Sequence, residues 1–334
     1  MATTTYGDIS QRTAVYAAKT MLEHAQPIIV LGKFGQTLPV PKNTANAVKF
    51  RRAIPFTVST TPLVEGVTPT SQKMQYEDVT ATLQQYGGVS ELTDVIEDMG
   101  EDPVLNDMSA LSGEQAAETL ERVCYGAIKA GTNVFYDKTT HSTRVAVDSK
   151  ITKDRVRAVV RSLRANRAKE ITAIQDSSVK YGTRATEGGF VAFCHSDLDA
   201  DIRDMAGFVS VADYGSQQPL CPEELGTVEK VRFITSPLLD PFQAAGAAVG
   251  STGMVADNAT NIDVYPVIFI GKDAYGHVPL KGANAITPSV LNPNNPSHGD
   301  PLGQKGSVGW KTYYAALILN QTWMARLEVG ATNI

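Results

Sequence analysis

The sequence predicts an α+β fold, in which strands and helices are intermixed without a regular strand–helix–strand alternation. Three observations support this prediction. One long helical pattern covers 103–130, and strand-like segments precede and follow it. Two segments before residue 93 have no obvious place in a compact core.

The long helix, which we call the spine helix, has recognisable ends. Asp102 is placed to cap it, and Pro103 lies in the first turn, where its missing N–H is not needed. Apolar residues then recur at three-and-four spacing up to residue 128, and Gly131 is predicted to end the helix in a left-handed conformation. At about 1.5 Å per residue the helix would be roughly 40 Å long, which suits a spine crossed by other segments.

Two segments are predicted to project from the core. Residues 26–46 carry prolines and glycines among short apolar clusters, typical of an extended arm lying on another subunit or around its own domain. Strand candidates at 48–52 and 76–92 are joined by a long Pro/Thr-rich tip, which predicts a β-hairpin, with Gly87-Gly88 marking a bulge or bend. Because a hairpin is marginally stable in water, it should need a partner surface.

The rest of the chain alternates between helix and strand candidates. An arginine-rich helix is predicted over 152–168. Further strands or strand-rich segments are predicted over 171–175, 188–194, 227–237, 261–280 and 310–329.

Composition is that of a globular protein with a substantial core. The 334 residues are 43% hydrophobic and 19% charged, and the net charge of −5 gives no reason to expect a general polyanion binder. Cys124, Cys194 and Cys221 form an odd set without framework spacing, which predicts a reducing compartment. Apolar runs are too short for a membrane span, so no membrane partner is expected.

Charges occur in blocks of one sign. Residues 33–64 hold five bases and no acid, residues 91–121 hold ten acids and no base, and residues 150–169 hold eight bases and one acid. Such blocks are usually solvated faces. Alternating blocks also suit a molecule that docks against copies of itself, and both interpretations stay open.

No catalytic residue, cofactor or metal site is predicted. The chain has no phosphate-binding loop or nucleophile elbow, and its five histidines lack metal-ligand spacing. Cys194 and His195 are neighbours on a predicted strand and point to opposite faces, so an enzyme that depends on Cys194 is kept only as an alternative. The acidic residues from Asp197 to Asp204 are interpreted as capping and solvated groups at a short helix.

An ordered set of stretches carries a family resemblance. They are DISQRTAVYAAKTMLEHAQP (8–27), VEGVTPTSQKMQYEDVTATLQQYGG (64–88), GEQAAETLERVCYGAIKAGTNVFY (113–136), CHSDLDADIRDM (194–205), IGKDAYGHVPLKG (270–282) and DPLGQKGSVGWKTYY (300–314). The chain resembles the major capsid proteins of tailed bacteriophages, specifically the family typified by the head protein of an N-four-like podophage. No one stretch is diagnostic, but the set spans nearly the whole chain in order.

The resemblance implies the capsid fold shared by tailed phages and herpesviruses. Its parts would be an N-terminal arm (1–46), an extended loop (47–93), a peripheral domain with the spine helix (94–187 and 310–334) and an axial domain (188–309). The implied role is structural, without catalysis or cofactor. Subunits would self-assemble into hexamers and pentamers of an icosahedral head around double-stranded DNA, in a virion built in the bacterial cytoplasm.

The resemblance also implies partners. Portal, scaffold and decoration proteins are expected beside further copies of the chain, and packaged DNA is expected to make non-specific contacts. An encapsulin-like shell of a cellular compartment, which has the same fold, is the alternative.

Charge and shape then predict the contacts between subunits. The extended loop would contribute Lys49, Arg51, Arg52, Leu63 and Val64. The acidic spine would contribute Glu97, Glu101, Asp102, Glu114, Glu118 and Glu121. The loop is predicted to lie over the neighbouring subunit's acidic spine. Arg161, Arg164 and Arg167 are predicted to face either packaged DNA or a neighbouring subunit.

Overall fold

The structure, a computed structural model, describes residues 29–41, 46–95, 104–175, 183–214, 219–250, 253–258, 260–281, 286–293 and 300–334. It confirms the predicted α+β class. The helices are α1 (Val104–Lys129), α2 (Lys153–Ala165) and α3 (Asp199–Arg203). The strands are β1 (Gln36–Thr37), β2 (Val40–Pro41), β3 (Ala47–Ala53), β4 (Tyr76–Thr82), β5 (Gln84–Thr93), β6 (Val134–Tyr136), β7 (Ile171–Gln175), β8 (Thr183–Cys194), β9 (Val209–Ser210), β10 (Glu224–Val228), β11 (Val231–Thr235), β12 (Tyr265–Ile270), β13 (Tyr275–Lys281), β14 (Ile286–Leu291), β15 (Lys305–Ile318) and β16 (Met324–Val329).

These strands form two sheets and a separate hairpin. In the first sheet β15 pairs antiparallel with β5, β13 and β14, while β1 and β2 add in parallel to β13. The second sheet has the order β6-β16-β12-β8-β11-β10-β9, with β7 beside β8. The hairpin consists of β3 and β4, which pair with each other.

The spine helix α1 joins the two sheets. Its first half packs on β5 and β15 through small residues, including Ser112, Gly113 and Ala116, so the helix can approach the sheet closely. Its second half buries Cys124 and Ile128 against the second sheet. This part of the helix therefore packs through small side chains, which hydrophobic periodicity does not register.

The end of α1 differs from the prediction. Gly131 is absent from the residues with a positive φ, so it is not the left-handed stop that the sequence predicts. A Cβ at this position would lie 2.6 Å from the Met324 side chain. Close packing against β16 therefore explains the glycine better than backbone conformation does.

Continuous apolar runs in the second sheet reflect burial on both faces. Phe190 and Ala192 of β8 point into a core shared with α2 and α3. Val191 and Phe193 point into the opposite core, shared with α1. Because successive side chains of a strand alternate between faces, a strand covered on both sides is apolar at every position.

The described part of the N-terminal arm lies on its own subunit. Val30, Leu31 and Phe34 are buried in the core beneath α1, and the Tyr275 hydroxyl donates to the Leu31 carbonyl at 2.5 Å. The sequence left open whether the arm lies on another subunit or around its own domain. Residues 29–41 lie around their own domain. Residues 1–28 and 42–45 lie outside the described residues.

Strand pairing joins segments that the sequence assigned to different domains. Strands β13 and β14, placed in the predicted axial segment, pair with β15 beside the spine helix. Conversely, β16 and α2, placed in the peripheral segments, belong to the sheet and core that contain β8 and β12.

Candidate assembly interface

The predicted hairpin is present and its base is anchored. The β3–β4 register runs from Ala47 opposite Thr82 to Ala53 opposite Tyr76. Phe50 and Ala81 pack at the base against Val278 of β13. The next strand, β5, leaves the hairpin and pairs with β15. The chain therefore changes direction near Leu83.

The glycine pair in β5 is not a bulge or bend. Gly87 and Gly88 lie in regular register opposite Lys311 and Trp310. A Cβ on Gly87 would lie 2.7 Å from the Trp310 carbonyl, and one on Gly88 would lie 2.5 Å from the Gln115 side chain. The pair is therefore needed for close packing of β5 against β15 and the spine helix.

The hairpin tip is an uncovered apolar surface. Every residue from 51 to 78 is exposed. The large apolar side chains among them, which we call the apolar tip, are Ile54, Phe56, Val58, Leu63, Val64, Val67, Met74 and Tyr76. Leu63 is 77% exposed and Val58 71%. Scattered exposed apolar residues are ordinary, but eight on one projecting hairpin mark an interaction surface.

Internal contacts nevertheless keep the tip in a defined shape. The Gln72 side-chain amide donates to the Thr57 carbonyl at 2.9 Å, and its carbonyl oxygen accepts from the Thr57 N–H at 3.0 Å. The Ile54 N–H donates to the Gln75 carbonyl at 2.9 Å. The two sides of the tip are therefore cross-linked by hydrogen bonds beyond the last residue of β3.

The two arginines predicted to contact a neighbour have partners inside the hairpin. Arg51 donates through Nε and Nη2 to the Asp78 carboxylate at 2.8 and 3.0 Å, and its hydrogen bond lowers the pKa of Asp78. Arg52 pairs with Glu77. Cross-strand pairs of this kind stabilise an exposed ribbon, so these cations serve the hairpin's own structure. Lys49, also exposed, has no ion pair among the described residues.

The acidic spine is described in part. Glu97, Glu101 and Asp102 lie outside the described residues. Glu118 is exposed on α1 and Glu114 is half-buried. Together with exposed Asp107 they lie on one side of the helix, because positions separated by seven and eleven residues nearly coincide in projection.

Glu121 must be removed from the predicted contact surface. Its side chain is buried, and its carboxylate accepts the backbone N–H groups of Val30 and Leu31 at 3.2 and 2.9 Å. Burial raises the pKa of Glu121 to about 7, against the opposing effect of these hydrogen bonds. Spacing in the sequence could have revealed this burial, since Glu121 lies four residues after Ala117 and three before Cys124 on the buried side.

The arginines of α2 are divided between structural and exposed positions. Arg155 donates to the Tyr136 carbonyl at 2.7 Å, Arg157 pairs with Glu229 at 2.8 Å, and Arg164 lies 3.3 Å from Glu170. Arg161 is exposed and has no ion pair among the described residues. Arg167 follows the helix with a φ of 56°.

One buried ionic cluster was missed by the sequence analysis. Glu328 of β16 is fully buried, accepts from Arg144 at 2.8 Å through both oxygens, and lies 2.9 Å from Arg326 Nε. The Arg144 guanidinium and Lys129 also cover the ring of Phe242, at 3.4 and 4.0 Å from its centroid. Arg144 and Glu328 are 184 positions apart, so no local pattern could have revealed their pairing.

The environment of Cys194 opposes nucleophilic chemistry. Its thiol is fully buried, donates to the Ile234 carbonyl at 3.5 Å, and has a pKa raised well above the usual range by burial. Reactive cysteines instead have lowered pKa values and access to solvent. His195 interacts with Asp197, its own near neighbour. The alternative of a Cys194-dependent enzyme therefore receives no support.

Two of the acidic residues interpreted as capping and solvated groups have protein partners. Asp201 is buried and binds Thr332, and Asp197 accepts from the Tyr265 hydroxyl at 2.7 Å. In a further cluster of Asp137, His141 and Asp148, the Asp137 carboxylate accepts from His141 and from the Ser149 N–H and hydroxyl. These hydrogen bonds explain the clusters as structural.

No helix in the described part of the chain is long and apolar enough to cross a bilayer.

Solved structures of phage capsids have the same fold. The capsid of Ralstonia phage GP4 aligns with a TM-score of 0.69 and 10% identity, over 91% of this chain and 92% of that one. The Cyanophage Pam1 capsid aligns with a TM-score of 0.59 and 16% identity, over 93% of both chains. The architecture is thus the capsid fold, with arm, extended hairpin and spine helix, as predicted.

Sequence comparison gives the family. A model described as phage capsid protein matches residues 76–327, and the chain belongs to that family. The major capsid protein of Pseudomonas phage KPP21 is 22% identical over 204 residues, which are 58% of this chain and 51% of that protein. The chain thus spans about half the length of this curated relative. The resemblance to tailed-phage capsid proteins is confirmed, and the family role is structural.

Proposed function

We propose that this chain is the major structural subunit of an icosahedral phage head. In this proposal it assembles into hexamers and pentamers that enclose double-stranded DNA. The apolar tip carries the proposal, because eight large apolar side chains project on an ordered hairpin that its own subunit leaves uncovered. Burying such a surface against a neighbouring copy would stabilise an assembly by removing apolar area from water.

The hairpin is proposed to lie over the neighbouring subunit. Leu63 and Val64 would supply apolar contacts, and Lys49 an unpaired cation near the base. Arg51 and Arg52 would act indirectly, by holding the two strands together.

The parts of the subunit are proposed to follow the two sheets. Residues 1–46 would form the arm and residues 47–83 the hairpin of the extended loop. The peripheral domain would contain the spine helix and the first sheet. The axial domain would contain the second sheet with α2 and α3.

Other partners are proposed from the family role. The shell would contact portal, scaffold and decoration proteins, and packaged DNA non-specifically, within a virion assembled in the bacterial cytoplasm. Membership of a phage capsid family supports these partners in general terms.

Electron microscopy of the purified recombinant chain tests this function. We expect closed particles from the wild type and dispersed subunits from a variant with Phe56, Leu63, Val64 and Val67 changed to Ser. A matched control changes Thr57, Thr60, Thr61 and Thr68 to Ser, which leaves the apolar tip intact and should give particles. Nucleic acid inside particles from infected cells supports the phage head, whereas an enclosed protein cargo without nucleic acid would favour an encapsulin-like compartment.

A further inference from the structure

An open basic groove lies beside α2. Its walls are the exposed side of that helix and the turn between β10 and β11, and it encloses about 390 Å³. The lining residues are Arg157, Val160, Arg161, Arg164, Glu229 and Lys230. Four cations thus surround one carboxylate, above a floor formed by the buried side chain of Val160.

Positive charge remains after the groove's internal pairs are formed. Glu229 is shared between Arg157 at 2.8 Å and Lys153 at 3.3 Å, and these bonds lower its pKa. Arg164 is paired with Glu170. Arg161 and Lys230 are exposed and have no ion pair among the described residues. The groove therefore presents guanidinium and ammonium groups to an anionic partner.

The spine helix offers a matching anionic surface. We call Asp107, Glu114 and Glu118 the acid stripe, since they lie on one side of α1. Glu114 and Glu118 are four residues apart, a rise of about 6 Å, and the same spacing separates Arg157 from Arg161 on α2. Exposed Leu111 lies within the stripe and would meet the apolar floor of a facing groove.

The two hairpin arginines that were predicted to contact a neighbour's acidic spine are engaged within their own hairpin. Arg51 and Arg52 are bound to Asp78 and Glu77. We propose that the acid stripe of one copy docks into the basic groove of a second copy, with Glu118 placed against Arg161. The inference rests on the proposed assembly and names the charged surfaces that orient neighbouring subunits.

Such a contact would act mainly on orientation. Exposed ion pairs are individually weak, but complementary charged surfaces exclude wrong arrangements and speed correct encounters. A contact between different surfaces of two identical chains is heterologous. Repeated contacts of this kind close into a ring when the rotation that relates neighbouring copies divides a full turn evenly.

Charge reversal tests the pairing directly. We expect Arg161→Glu and Glu118→Arg each to lower the yield of closed particles at least tenfold, and the double variant to recover to within about threefold of wild type. Lys272→Glu, an exposed charge reversal outside the groove, is the matched control and should assemble normally. Particles from both single variants at wild-type yield, or a double variant no better than the singles, would overturn the proposal.

Cross-linking separates this proposal from the proposed function. Chains carrying Glu118→Cys and chains carrying Arg161→Cys are mixed before oxidation, so that a disulfide between the two sites must join two copies. The native cysteines are buried. A mixed dimer that each single variant fails to form supports the contact even if no closed particle assembles. Its absence from assembled particles contradicts the contact while leaving the shell function intact.

Nucleic acid is the competing occupant of the groove. If Arg161→Glu assembles normally but the empty particles lose binding of duplex DNA, the groove is a phosphate surface and the proposed contact between copies is wrong.

Discussion

The Glu121 carboxylate on the spine helix accepts the backbone N–H of Leu31 at 2.9 Å, ninety residues away in the sequence. This bond and its neighbour from Val30 fix the arm beneath the helix. Lys33, whose positive charge acts to lower the pKa of Glu121, pairs with Glu223 at 3.4 Å. An acid that the charge pattern placed on the surface therefore anchors the chain's own arm.

Titration of Glu121 should make stability depend on pH. Its folded pKa of about 7 lies above the unfolded value, so the folded state holds an extra proton between about pH 4.5 and 7. The stabilisation that protonated Glu121 contributes is fully present below that pH range and declines as the pH rises through it. Relative to Glu121→Gln, the wild type should lose up to about 3 kcal/mol from pH 4.5 to 8, measured by denaturant unfolding of the isolated subunit.

The comparison with the variant is essential because His277 titrates in the opposite sense. Burial lowers its pKa to about 4, so its contribution to stability is lost as pH falls from about 6.5 towards 4. A stability difference between wild type and Glu121→Gln that stays constant across this range would show that Glu121 does not titrate as argued.

Exchanging the charges of one hairpin pair distinguishes an internal role from a contact between subunits. Arg51→Asp alone should reduce assembly, because it places two acids opposite each other at Asp78. Arg51→Asp combined with Asp78→Arg restores the cross-strand pair and should restore particle yield, measured by sedimentation. Failure of the exchange to rescue would return Arg51 to the predicted contact with a neighbour's acids.

Local patterns in the sequence predicted the spine helix and the hairpin, since both follow from periodicity and turn residues within one segment. They failed where a residue's role depends on distant partners. Glu121 was assigned by charge rather than by its position on the buried side of α1. The Glu328–Arg144 cluster and the pairing of β15 with β5 join segments far apart in the chain. The contact surface on α1 is built from small residues, which carry little hydrophobic signal.

Two glycine-to-alanine substitutions should have opposite effects on stability. Gly87→Ala places a Cβ 2.7 Å from the Trp310 carbonyl, so β5 must shift, at an expected cost of about 1–3 kcal/mol. Gly126 is exposed within α1, and a Cβ added there would meet no atom within 4 Å. Gly126→Ala should therefore stabilise the folded protein by about 0.5–1 kcal/mol. Thermal unfolding of both variants measures the contrast, and equal changes in melting temperature would refute it.

The buried cluster should be sensitive to loss of its acid. Glu328→Gln leaves Arg144 and Arg326 without their buried counter-charge and should reduce the free energy of unfolding by about 3–5 kcal/mol. Glu170→Gln removes the partner of exposed Arg164 and should cost less than about 1 kcal/mol. Denaturant midpoints for the two variants provide the test, and a Glu328→Gln cost as small as that of Glu170→Gln would argue against a structural cluster.

Hydrogen–deuterium exchange across residues 54–75 tests most directly whether the hairpin is buried on neighbouring copies. Free subunits and assembled particles are compared at the same pH, with the exposed loop at 138–140 as an internal reference. We expect the backbone amides of the apolar tip to exchange at least tenfold more slowly in particles, while the reference is unchanged. Equal exchange of the tip in both states would contradict the account.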